Sequence, residues 1–77
     1  MSDPHYHINL FWSEEDKLWI ADVPDLKHCS SHGRSPLEAV EQIRDAMEGW
    51  LETAREIGLD IPEPSYRPAA YAVRDAA

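Results

Sequence analysis

The sequence predicts an α+β fold in two layers: a three-stranded antiparallel sheet packed on one long helix, in the order β-β-β-α, with room for a short fourth strand near the C-terminus. Three observations predict it. Two short runs of β-forming residues flank a polar break, a helix-start signal stands at Ser35, and apolar residues recur from there at three- and four-residue spacing until a glycine. With 77 residues, the chain holds one thin core at most. The expected organisation is a single domain over residues 1–77, with its core over about 5–58 and an extended arm over 59–77.

The first strand is read over residues 5–12, where Tyr6, Ile8, Leu10 and Trp12 alternate with His5, His7, Asn9 and Phe11. Ser13-Glu14-Glu15-Asp16 then breaks the pattern, and residues 17–23, rich in β-formers, complete a hairpin that Pro24 stops. A third strand is expected over residues 28–32, ended by Gly33.

Ser35-Pro36-Leu37-Glu38 combines an N-cap serine, proline at the first helical position and a glutamate placed to close a capping box. Leu37, Val40, Ile43, Met47, Trp50, Leu51, Ala54 and Ile57 supply the apolar stripe, and Gly58 fits a C′ position. The spacing therefore predicts a helix over Pro36–Ile57, roughly 33 Å long at 1.5 Å per residue. Gly49 inside it is expected to mark close packing, and Trp12, Trp19 and Trp50 to be core residues, with a subunit interface as the alternative place for one of them. Beyond the helix, the stretch from Tyr66 to Val73 suits an edge strand or an arm docked on a neighbour.

Charge narrows the partners. Fifteen acids against seven Lys plus Arg give a net charge of −8, a field that repels a phosphate backbone and attracts basic proteins. Direct nucleic-acid binding is not expected. A lone cysteine, Cys29, forms no intrachain disulfide and no multi-cysteine zinc site, which suits a reducing cytoplasm. No signal-peptide pattern and no membrane-length apolar run is present, so a cytoplasmic protein without a membrane partner is expected.

Glu38, Glu41, Asp45, Glu48, Glu52 and Glu56 fall within roughly 80° of arc on the helix, away from the apolar stripe. Such a line of like charge costs the helix on the order of 1 kcal/mol, partly relieved by Arg44 and Arg55. It reads either as a solvated face or as a docking surface for a basic partner, centred on Glu41, Asp45, Glu48 and Glu52. His5 and His7, with His28, Cys29 and His32, would make a mixed nitrogen and sulfur metal site only if the first and third strands were neighbours. Their spacings match no established zinc pattern, so no metal or cofactor is expected. Cys29 lacks a positioned base, Asp22 and Asp25 flank Pro24 where a turn needs polar residues, and no glycine-rich loop is present. A catalytic centre is not visible.

Trp19-Ile20-Ala21-Asp22-Val23-Pro24-Asp25-Leu26, then Cys29, then Gly33-Arg34-Ser35-Pro36-Leu37-Glu38-Ala39-Val40 closely resembles the core of the HicB antitoxin family. The resemblance covers about residues 5–64, and the tail from Ile61 to Ala72 is similar to that of short, stand-alone members. It rests on scaffold residues and brings no catalytic residue. It implies a non-enzymatic antitoxin that binds a small basic ribonuclease toxin of the HicA type and works as a homodimer or larger homo-oligomer. The alternative is a solitary HicB-fold scaffold or regulatory module without a toxin. Two departures stand out: Lys27-His28 replaces the usual proline-glycine pair, and only 19 residues follow Gly58, too few for the family's C-terminal DNA-binding domain. Toxin neutralisation without operator binding is the resulting expectation.

Overall fold

The structure, a computed structural model, describes residues 5–66. Three strands, β1 (Asn9–Ser13), β2 (Leu18–Asp22) and β3 (Ser30–Gly33), precede one helix, α1 (Pro36–Ile57). The strands form an antiparallel sheet in the order β1-β2-β3. This is the α+β arrangement that the sequence predicts. The Tyr66 to Val73 stretch lies outside the described residues beyond Tyr66 itself.

β1 is shorter than the alternation suggests because its partner ends first. Asn9 pairs with Asp22, the last residue of β2, and Val23-Pro24 turns away, so β2 offers residues 5–8 nothing to pair with. Tyr6 and Ile8 nevertheless pack against the core. The third strand starts two residues later than expected. His28 takes a left-handed conformation (φ 60°), and Cys29 closes a turn: its N–H donates to the Leu26 carbonyl at 3.2 Å, and its own carbonyl accepts from the Val23 N–H at 3.0 Å.

Gly33 does not break β3 but belongs to it, opposite Trp19. A Cβ there would lie 2.5 Å from the Ala39 nitrogen and 2.8 Å from the Glu38 carbonyl carbon. The missing side chain is what lets the helix start against the sheet. Gly49, expected to mark close packing, has nothing within 4 Å of the position its Cβ would take, so that expectation is overturned.

The helix ends are built as the sequence implies, with one shift. The Ser35 hydroxyl accepts from the Glu38 N–H at 3.1 Å, whereas the Glu38 carboxylate accepts from the Arg34 N–H, one residue before the cap, at 3.0 Å. Gly58 (φ 75°) caps the C-terminus in the left-handed region. Ala39, Ile43, Met47 and Leu51 of α1 cluster with Ala21, Val23, Leu26 and Cys29 in the core, and Ala54 is buried further along the helix.

Paired residues in adjacent strands share a sheet face. Leu10, Trp12, Trp19, Ala21, Ser31 and Gly33 therefore lie on one face, and buried Ala21 and Gly33 identify it as the helix side. Phe11, Leu18, Ile20 and His32 lie on the other. The apolar stripe of α1 is narrower than its sequence: Leu37 and Ile57 are 69% and 66% exposed. They sit in the first and last turns of the helix.

Candidate functional site

Glu41, Asp45, Glu48 and Glu52 are all exposed on α1. At about 100° per residue they point away from the buried Ala39, Ile43, Met47 and Leu51, so the acidic line faces outward from the sheet. Glu56 continues it, also exposed, while Glu38 is drawn into the N-terminal cap. Among the described residues, no hydrogen bond or ion pair fixes the four central carboxylates of the line to the scaffold. They present negative charge without shape, a surface that a partner with its own basic groups can fit.

The histidines and Cys29 are not brought together. β2 separates β1 from β3, and no group of three or more His, Cys, Asp or Glu side chains among the described residues is placed to hold a metal. His7 shares a hydrogen bond with the Asn9 side chain at 2.7 Å and packs its ring on Tyr66, with centroids 4.7 Å apart. His32 is exposed on the outer sheet face beside Ile20. Cys29 is buried, and burial first, then the charge of Asp22, raises its thiol pKa. A protonated, enclosed thiol is a poor nucleophile.

Beside Cys29 an open groove of about 500 Å³ runs between the turn before β3 and the C-terminal half of α1. Lys27, Cys29, Ala46, Gly49, Trp50 and Leu59 line it. Trp50 is half-buried and donates its indole N–H to the Lys27 carbonyl at 2.9 Å. That bond fixes the wall of the groove to the turn.

A second polar centre, absent from the sequence reading, is Asp25. Its carboxylate accepts from the Ser65 N–H at 3.1 Å, the Ser65 hydroxyl at 2.9 Å and the Tyr66 N–H at 3.2 Å. These bonds, the one from Tyr66 foremost, lower its pKa. Tyr6 donates its hydroxyl to the Pro62 carbonyl, and burial, with the charges of Asp25 and Glu63, raises its pKa. The arm after α1 is thus tied back across residues 5–8 and the turn after β2. Sequence showed Asp25 only as a turn residue, since a bond across 40 positions leaves no local signal.

The last feature is apolar. Leu10, Phe11 and Trp12 are 39%, 49% and 44% exposed, which overturns the placing of Trp12 in the core. Its ring packs edge-on against Trp19, centroids 5.8 Å apart, and its indole N–H reaches Glu14 at 2.7 Å. Trp19 and Trp50 do pack against the core.

Among the described residues no helix is long and apolar enough to cross a membrane. No curated protein and no solved structure matches the chain. A family model described as the HicB-like antitoxin of bacterial toxin-antitoxin systems matches residues 6–74.

Proposed function

Because the chain belongs to the HicB-like antitoxin family, we propose that it neutralises a small basic ribonuclease toxin of the HicA type by direct, non-enzymatic binding in the cytoplasm. It acts in this reading as a single domain, assembled into a homodimer or larger homo-oligomer, and needs no cofactor. The observation that carries the reading is the outward-facing line of Glu41, Asp45, Glu48 and Glu52 on a chain of net charge −8. A ribonuclease holds its phosphate substrate with basic groups, and an acidic helix competes for that same surface.

The test is a titration of the full chain into a HicA-type toxin encoded beside its gene, with RNA cleavage as readout. Inhibition complete at a fixed molar ratio is expected. Reversing all four charges (E41K, D45K, E48K, E52K) should abolish inhibition while far-UV circular dichroism and oligomer mass stay unchanged. Wild-type protein that neither binds nor inhibits would leave a solitary HicB-fold module as the reading; a quadruple variant that inhibits normally would return the acidic line to a solubility role.

A further inference from the structure

We propose that the groove between the turn before β3 and the C-terminal half of α1 receives one apolar side chain of the basic partner, whose cations then seat on Asp45, Glu52 and Glu56 beside it. The inference rests on the antitoxin reading above and deepens it by assigning the place on this chain where the partner is anchored. The groove holds about 500 Å³ and is open to solvent. It does not enclose a small molecule; it is shaped for a side chain that another protein presents.

Its walls are in place before anything binds. Trp50 is half-buried, and its indole N–H donates to the Lys27 carbonyl at 2.9 Å, which holds the ring against the turn. Leu59 closes the end nearest the helix C-terminus: it is 55% exposed, yet its N–H donates to the Ala54 carbonyl at 2.8 Å and ties its backbone to the last turn. Walls that are already ordered cost little to organise on binding. Gly49 is the observation that points to an occupant. A glycine in the interior of a helix lowers its stability, and among the described residues nothing comes within 4 Å of the place a Gly49 Cβ would take. No contact among those residues accounts for the missing side chain. Its absence keeps the groove open along α1.

Charge says what kind of protein carries the anchor. Residues three and four apart are neighbours on a helix surface, so Asp45 and Glu52 border Gly49, and Glu56 borders Thr53, another residue of the lining. All three acids are exposed. Glu48, next to Gly49 in sequence, points to another side of the helix, and Glu41 lies two turns back. The α1 rim is therefore acidic, whereas Lys27 and His28 line the turn side. An apolar side chain with Lys or Arg on one flank only suits both rims. Its cations meet the acids, and the turn side takes backbone carbonyls or an acid of the partner. A desolvated apolar anchor ringed by charge is the arrangement that carries most of an interface's binding energy.

Isothermal titration of the full chain into the toxin encoded beside its gene is the measurement. Gly49→Leu fills the groove from within and should raise Kd about 30-fold or more, the size expected when an anchor pocket is blocked. Its thermal midpoint should equal or exceed that of wild type, because leucine favours the helix. The pairs D45K/E52K and E41K/E48K change the net charge equally, so a difference between them reflects position alone. The first pair should weaken binding about tenfold more than the second. A Gly49→Leu chain that binds as wild type does, or two charge pairs with equal losses, would overturn the proposal and leave the antitoxin reading standing. So would a lower thermal midpoint in Gly49→Leu, because it would assign the groove to the chain's own residues. Wild type that does not bind the toxin would sink the antitoxin reading and the anchor with it.

Discussion

A methyl group at position 33 would sit 2.5 Å from the backbone nitrogen of Ala39, and backbone cannot rotate out of the way as a side chain can. Gly33→Ala should therefore destabilise the chain by about 1–3 kcal/mol, the usual cost of overpacking, read as a lower urea midpoint. An unchanged midpoint would mean that α1 does not rest on β3 this closely. Asp25 is the other residue whose contacts make a definite prediction. Its folded pKa is depressed by the Tyr66 and Ser65 bonds, helped by the nearby charge of His7. A depressed carboxylate contributes above its unfolded pKa and loses that contribution as pH falls through the folded value. The arm should thus stay tied at neutral and mildly acidic pH and come away only below about pH 4, the ordinary aspartate range. The Ser65 and Tyr66 amide resonances report this directly. Asp25→Asn should shift them at pH 7, and amides insensitive to both changes would remove Asp25 as the tie.

At the scale of elements, α1 was the most legible part of the sequence, and the reason is locality. Ser35, Pro36, Glu38 and Gly58 specify its ends through bonds no longer than four residues, and the structure places its bounds at Pro36–Ile57 as the spacing predicts. The strands were legible in order but not in length, because a strand ends where its partner does. Residues 5–8 alternate properly yet face no ladder beyond Asp22, and Cys29 spends its backbone groups on a turn. The candidate site divides the same way. The acidic line is periodic and was visible, whereas the exposure of Leu10 and Trp12 depends on where α1 crosses the sheet, which no local pattern encodes. Gly49 shows the same limit with a testable consequence. Its Cβ position is open, so nothing offsets the entropic penalty of an interior helical glycine. Gly49→Ala should stabilise the chain by up to about 1 kcal/mol. A lower thermal midpoint instead would mean that a neighbour does fill the groove beside Trp50.

At the scale of the whole molecule, the two proposed assemblies respond to salt with opposite signs. A chain of net charge −8 repels its own copy at low ionic strength. Raising ionic strength from about 0.01 M to 1 M shortens the screening length from roughly 30 Å to 3 Å, so the dimer should tighten as the two acidic bodies cease to sense each other. A complex between Glu41, Asp45, Glu48 and Glu52 and a basic toxin draws on attraction instead, and its association rate should fall steeply over the same range. Sedimentation of the chain alone and stopped-flow mixing with the toxin, each run across the salt series, separate the two. A dimer that weakens with salt would place attracting charged groups in its interface. A toxin association rate indifferent to salt would place toxin contact on an apolar surface instead of the acidic line.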